Sequence, residues 1–333
     1  MNHSPSPRSV AQASATQASV TQTSVTLTWK DKLWAIFSSS RPISWINTAF
    51  PFGAAYLLVG GRLDWVFVVG VLFFLIPYNI AMYGINDVFD YESDIRNPRK
   101  GGVEGAVLDK RLHPTLLWTS AITVVPLAII LYAAGTPASA FWLTVSLAAV
   151  LAYSAPVLRF KERPVLDSIT SSTHFVTPAL VGGTMAQGLL DSGEATRQLG
   201  QTGPPYGLTP QFWIVMAAFF LWGTASHALG AVQDVQSDRE GGLKSVATEL
   251  GPRLTVRLAV GCYALASLLL LTLGWYGAIV AVANLLYVVN AARFWNVDDA
   301  GAVGVNRAWK VFLWANYVVG VVVTMTLIWL VIH

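Results

Sequence analysis

The segment Asn86-Asp87-Val88-Phe89-Asp90-Tyr91-Glu92-Ser93-Asp94 sets four carboxylates and an amide at the end of a long apolar run. Acidic side chains beside a bilayer are costly and mark function there. In a helix that turns by about 100° per residue, Asp87, Asp90 and Asp94 share one face, with Asn86 on its flank. Glu92 lies about 160° around from Asp90 and is expected to face solvent. A second pair, Asp234 and Asp238, repeats the i, i+4 spacing later in the chain. Oxygen donors without a His or Cys array suit a hard cation such as Mg²⁺. Mg²⁺ prefers one or two carboxylates plus phosphate oxygens and water to an all-protein cage. Asn86, Asp87, Asp90, Asp94, Asp234 and Asp238 therefore read as a divided metal site that bridges to a diphosphate.

The neighbouring cations fit that reading. Arg96, Arg99 and Lys100 follow the first cluster, Arg239 and Lys244 follow the second, and Arg159, Lys161 and Arg163 occupy another loop. Cations placed there would stabilise charge growing on a departing diphosphate. Each of them also has a plainer explanation, contact with lipid headgroups. The acids do not, because acids contribute little to membrane topology.

The elements that must hold these groups are membrane helices. Of 333 residues, 54% are hydrophobic and only 12% charged, against roughly 25% charged in soluble domains. Residues 1–28 form a Ser/Thr/Gln/Ala-rich tail that cannot bury enough apolar surface to order itself, and no secretory signal is visible in it. Residues 29–333 form the membrane-embedded domain. Cys262 is the single cysteine, so no intrachain disulfide forms, and packing is its expected role. Spans of roughly 17–25 apolar residues fall at 43–60, 64–85, 114–134, 138–154, 166–187, 211–232, 255–273, 275–293 and 310–332. Lipid offers an unpaired backbone no partner, so all should be helical. On this count every Lys and Arg except Arg62 and Arg197 lies on one side. That places the N-terminus in the cytoplasm and His333 outside. The expected fold is all-α and polytopic, with nine transmembrane helices in two four-helix halves plus a ninth. Asp90-Tyr91-Glu92-Ser93-Asp94 and Asp234-Val235-Gln236-Ser237-Asp238 are similar, and Gly101-Gly102 and Gly241-Gly242 follow them. Both acid groups would then meet at the cytoplasmic face.

These motifs resemble the paired aspartate motifs of the UbiA superfamily of intramembrane prenyltransferases. The likeness covers nearly all of residues 30–333. It implies that both motifs hold Mg²⁺ on the diphosphate of an isoprenoid donor. Tyr153-Ser154-Ala155-Pro156-Val157-Leu158-Arg159-Phe160-Lys161 resembles the family's Tyr-Ser…Pro…Arg-x-Lys loop. The resemblance implies that Tyr153 faces the reacting allyl group and that Arg159 and Lys161 face the diphosphate. The runs Tyr83 to Asp94, Asn97 to Gly105 and Ser226 to Asp234 are similar to the lycopene elongases of C50 carotenoid synthesis. The common family pattern has a Lys before the second motif and a Tyr four residues earlier; here these are Gln233 and Leu229.

The resemblance implies electrophilic alkylation. The donor would be dimethylallyl diphosphate and the acceptor the end of lycopene or a related C40 carotenoid reached from the lipid bilayer, giving C45 and C50 products. A carotenoid cyclase or other pathway subunits are conceivable partners; nucleic acid is not expected. One rival is a UbiA-type enzyme acting on an aromatic or quinone precursor or another lipid. Another is a cation-coupled transporter, whose acids would sit near the midplane rather than at helix ends. His174, His227, Asn47, Asn284 and Asn290 read as interhelical hydrogen-bonding groups, with His174 also a conceivable proton acceptor.

Overall fold

The computed structural model describes residues 27–95, 108–192 and 207–332. The tail through residue 26, together with Arg96, Arg99, Lys100, Gly101-Gly102, Arg197 and His333, lies outside the described residues. Fourteen α-helices follow in order, and no strand occurs among the described residues. They are α1 (Trp29–Ser39), α2 (Ile46–Val59), α3 (Trp65–Leu75), α4 (Pro77–Phe89), α5 (Tyr91–Asp94), α6 (His113–Ala134) and α7 (Pro137–Ser154). Then come α8 (Leu166–Asp191), α9 (Pro210–Val232), α10 (Val235–Glu240), α11 (Val246–Leu250), α12 (Pro252–Leu271), α13 (Trp275–Ala292) and α14 (Asn306–Ile332). Local sequence sets the boundaries. Thr28 opens α1 through a capping box with Asp31, so this last residue of the expected tail already belongs to the ordered part. Proline at the first helical position starts α4, α7, α9 and α12, where its missing N–H is not needed.

Among the described residues, seven stretches are long and apolar enough to cross a membrane: Trp65–Phe89, Lys110–Ala134, Pro137–Ser154, Pro210–Val232, Pro252–Leu271, Trp275–Ala292 and Ala302–Ile332. The chain is thus all-helical and built for a membrane. The other two expected spans are present as helices that miss one criterion each. Helix α2 has 14 residues, about 21 Å of rise against a hydrocarbon core of about 30 Å. Helix α8 has 26 residues but carries Asp167, His174 and a series of Ser and Thr residues that lower its apolarity.

Packing divides the molecule into two apolar cores. One joins Phe52, Tyr56, Phe73, Phe74, Tyr78, Leu131, Leu143 and Val181. The other joins Leu229, Val235, Val256, Tyr263, Tyr287, Ala308 and Phe312. The boundary differs from the expected four-plus-four division, because Val181, Met185 and Ala186 of α8 belong to the first core. Helix α8 packs against α2, α7 and α9 together, and small residues let it do so. A Cβ at Gly182 would come within 2.3 Å of the Phe52 carbonyl oxygen, and one at Gly223 within 2.5 Å of Ser172 Oγ. Close backbone approach through glycine is a general device of membrane helix pairs. Most polar side chains of α8, Asp167, Ser168, Thr170, Ser172, His174, Thr177 and Thr184, therefore lie inside the bundle.

Candidate functional site

The helix carrying the first acidic cluster is interrupted. Helix α4 stops at Asp90, whose backbone sits at φ −98°, ψ −2°, and α5 starts at the next residue. The Asp94 amide donates to the Asp90 carbonyl at 2.8 Å. The second cluster is built the same way. Helix α9 ends just before Asp234 at φ −96°, ψ −6°, α10 starts after it, and the Asp238 amide donates to the Asp234 carbonyl at 2.8 Å. The expected single helix face is thus a helix, a bridge-region aspartate and a short second helix, made twice. Asp87, Asp90 and Asp94 nevertheless all turn inward, at 3%, 7% and 7% exposure, while Asp234 and Asp238 are half-buried. Glu92 is exposed and ion-paired with Lys110, as its place on the helix predicts.

Asp87 and Asp90 of the first cluster are held by specific partners. Asp87 accepts from Ser39 Oγ at 2.7 Å and from Arg41 Nη2 at 3.1 Å. Arg41 adopts the left-handed region at φ 49°, and its guanidinium also covers the Tyr83 ring at 4.3 Å. A non-glycine residue held there indicates local strain that surrounding contacts enforce. Asn86 Nδ2 donates to Asp90 Oδ2 at 2.7 Å and to Ser154 Oγ at 3.0 Å. Asp90 also forms an ion pair with Lys161. Burial pushes the Lys161 ammonium down to about 8, against the pull of Glu162 and Asp238. Lys161 thus touches the first cluster at Asp90 and lies within electrostatic reach of Asp238 in the second.

The other basic residues divide into two groups. Arg159, also left-handed at φ 40°, is paired with Glu162, and that hydrogen bond holds the Glu162 carboxyl below its ordinary range. Arg239 reaches Asp299 at 3.0 Å and Lys244 reaches Glu249 at 3.9 Å, both at the exposed rim. Arg163 covers the Phe160 ring. The geometry therefore brings Lys161 directly to the acids, sets Arg159 beside it, and leaves Arg239 and Lys244 turned outward. Arg99 and Lys100 lie outside the described residues.

Below the acids, Tyr153 is next in sequence to Ser154, which receives Asn86. Its ring meets His174 and His227 edge-on, with centroids 5.6 and 6.4 Å apart. Its hydroxyl lies 3.1 Å from His227 Nε2. It is within electrostatic range of Arg41, Asp167 and Asp238. Sequence reasoning missed Ser39, Arg41, Ser154, Asp167 and Ser168. Asp167 carried a usable signal, since an acid at the start of span 166–187 is costly unless it has partners. Arg41, immediately before Pro42 and the first apolar run, carried a weaker one.

Among the described residues, no three acidic, His or Cys side chains close on one point as a protein-only metal cage. The donor set is oxygen alone: five aspartates and the Asn86 amide. That chemistry fits a hard divalent cation held by one or two carboxylates per side and completed by diphosphate oxygens.

An all-helical membrane bundle with two matching aspartate turns, the first ion-paired to Lys161, suits an intramembrane prenyltransferase. Residues 48–317 match the UbiA prenyltransferase family, and the chain belongs to it. Its relatives are more particular. It is 57% identical over 300 residues to the lycopene elongase/hydratase of Corynebacterium glutamicum, covering 90% of this chain and 98% of that protein. It is 50% identical over 298 residues to a C50 β-cyclic carotenoid biosynthesis protein of Dietzia sp., covering 89% of this chain and 65% of that protein. Two solved structures share the fold. A UbiA homolog from Archaeoglobus fulgidus bound to GPP and Mg²⁺ aligns with TM-score 0.59 at 17% identity, covering 86% of this chain and 99% of that one. The apo UbiA homolog from Aeropyrum pernix aligns with TM-score 0.62 at 20% identity, covering 85% and 98%.

Proposed function

We propose that this prenyltransferase moves a dimethylallyl group from dimethylallyl diphosphate to the end of lycopene or a related C40 carotenoid, giving C45 and C50 products. The observation that carries this reading is the pair of matching aspartate turns, the first of them ion-paired to Lys161. The acceptor is supported by the 57% identity to a lycopene elongase/hydratase over nearly the whole of both chains. Helices α2 and α8 complete nine spans in this reading, with the aspartate turns on the cytoplasmic side.

Asn86, Asp87, Asp90, Asp94, Asp234 and Asp238 would hold Mg²⁺, which when bound neutralises the diphosphate as its carbon–oxygen bond breaks. Lys161 and Arg159 add fixed positive charge on the diphosphate side, and Arg41 adds more beside Asp87. Arg99, Lys100, Arg239 and Lys244 steer the anion from the outer loops. Tyr153 faces the allylic cation with its ring, and the buried helices around it exclude the water that would capture that cation. The cation alkylates the terminal double bond of the acceptor, which enters from the bilayer.

The test incubates membranes containing the protein with Mg²⁺, labelled dimethylallyl diphosphate and lycopene. Labelled C45 and C50 carotenoids are expected. Transfer to an aromatic acid or quinone precursor without carotenoid products would overturn the acceptor assignment. Activity surviving Asp90→Ala and Asp234→Ala would overturn the metal assignment.

A further inference from the structure

Alkylation leaves a positive charge on the acceptor, and every ending releases one proton. The proton comes either from a carbon beside the charge, giving an alkene, or from a water that adds to it, giving an alcohol. A group inside the dry site must receive it. The aspartates of the proposed metal site are poor candidates: Arg41 engages Asp87, Asn86 and Lys161 engage Asp90, and all five would be holding metal.

A separate polar chain runs inward from Tyr153. His227 Nε2 lies 3.1 Å from the Tyr153 hydroxyl, and His227 Nδ1 lies 3.1 Å from Ser168 Oγ. Ser168 Oγ donates to Asp167 Oδ1 at 3.2 Å. Asp167 is fully buried and also accepts from the amides of Ser168 at 2.6 Å and Val246 at 2.8 Å. Three donors converge on this carboxyl, so it terminates the chain as an acceptor. That end sets the direction of everything before it. Because Ser168 donates to Asp167, His227 Nδ1–H donates to Ser168, and Nε2 is left as the acceptor for the Tyr153 hydroxyl.

The geometry points to Tyr153, backed by His227, Ser168 and Asp167, as the group that takes the final proton. This rests on the alkylation reading but not on which acceptor is alkylated. The released proton bonds to the Tyr153 oxygen while the phenolic proton moves to His227 Nε2. A substrate C–H bond (or an O–H bond of the added water) and the phenolic O–H bond break, and a new phenolic O–H bond and an N–H bond form; the freed electron pair becomes the double bond or stays on the oxygen of the new alcohol. The Asp167 carboxylate balances the resulting imidazolium through Ser168. The imidazolium returns its proton to water when the product leaves. Tyr153 is the catalytic residue; His227, Ser168 and Asp167 act through it as positioning residues. The arrangement spans α7, α8 and α9, so it exists only when the bundle is assembled around α8. This explains a buried carboxylate in a membrane helix that the diphosphate site does not use.

The test measures diphosphate release and prenylated product in parallel in purified enzyme, using whichever acceptor the wild type prenylates. Wild type should give close to one product per diphosphate. His227→Gln keeps a hydrogen-bonding partner for Tyr153 but cannot take its proton. Product formation should fall about a hundredfold with KM for the donor within about twofold. Diphosphate release should fall far less, because ionisation precedes the proton step: an alkylated cation that keeps its proton reverts to acceptor and allylic cation, and water captures the latter. Ser168→Ala should show a milder uncoupling that Ser168→Thr restores. A solvent deuterium effect on product formation should be present in wild type and lost in His227→Gln. The relay is overturned if diphosphate release and product fall together in His227→Gln, or if the product-to-diphosphate ratio stays near one. Because a joint fall marks a purely structural role, a fluorescence thermal melt of each variant should accompany the assay.

Discussion

At Asp90 and at Asp234 the backbone makes the same turn, within a few degrees in φ and ψ, and closes it with the same 2.8 Å hydrogen bond from the aspartate four residues on. The surroundings are different. The first turn is deep, and the protein supplies its own cations: Arg41 on Asp87 and Lys161 on Asp90. The second is half open, and the nearby Arg239 and Lys244 point away to Asp299 and Glu249. A buried carboxylate depends on a counter-charge to remain ionised more than a half-exposed one does. The same local motif therefore sits at two depths: Asp87 and Asp90 buried against Arg41 and Lys161, Asp234 and Asp238 half-buried.

The largest effect should show that chemistry uses both motifs despite this asymmetry. Asp94→Ala and Asp238→Ala should each lower kcat/KM by about 10²–10³-fold, the range for loss of one preorganised electrostatic group. Chelation of divalent metal should abolish turnover in the wild type. Labelled isoprenoid transfer checks both, and a loss below about tenfold at either aspartate would reduce the paired site to a single one. Stability should separate the motifs where activity does not. Asp87→Ala leaves the Arg41 guanidinium without its carboxylate and should destabilise by about 3 kcal/mol, near the lower end for a broken buried pair because Arg41 keeps Tyr83 and some water. Asp234→Ala should remain within about 1 kcal/mol. Thermal midpoints in one detergent compare them, and equal shifts would remove the distinction between a buried and an open motif.

Much of this architecture was legible as chemistry at fixed spacing. The order of Asp87, Asp90 and Asp94, and Glu92 on the opposite side, follow from helical geometry, and the structure keeps both. The break at Asp90 was not legible, because a bridge-region residue between two helices leaves the i, i+4 spacing intact. The span count was readable where apolarity and length coincide. For α2 and α8 length or apolarity alone falls short: α8 hides most of its Ser, Thr, His and Asp side chains between neighbours, so its sequence is less apolar than those of the other long helices. The partners of the acids were the least legible. Arg41 and Ser39 reach Asp87 from a segment more than forty residues earlier in the chain, and local periodicity carries no information about such contacts.

Lys161, paired with the first motif and within electrostatic reach of the second, gives a smaller test. Lys161→Met removes the ion pair with Asp90 and the attraction toward Asp238 while keeping the aliphatic stem. A charge-assisted hydrogen bond contributes about 1.5–3 kcal/mol, and 1.4 kcal/mol is a tenfold change in an equilibrium constant. KM for the isoprenoid diphosphate should rise about tenfold, and Lys161→Arg should recover part of it. Steady-state kinetics over a donor titration separate this from a fall in kcat alone. An unchanged KM would mean that Lys161 only neutralises Asp90 and does not reach substrate.

The smallest effect concerns how each motif is anchored. Asp90 follows Phe89, which packs on the first apolar core; Asp234 follows Gln233, whose Oε1 accepts from Asn306 Nδ2 at 2.6 Å. Both turns thus adjoin apolar core, through Phe89 and through Val235, and the second adds a polar tie to the first residue of α14. Gln233 is buried at 8% exposure, so Gln233→Ala leaves the Asn306 amide without this acceptor and should destabilise by about 1 kcal/mol. With its backbone hydrogen bond from Asp238 intact, the second turn should keep its shape, and kcat should change by less than a factor of about two. The paired change Gln233→Leu with Asn306→Leu removes donor and acceptor together and should restore most of the stability, because replacing both partners by apolar groups is close to neutral. A large loss of kcat in the single variant would instead make Gln233 part of the acceptor pocket.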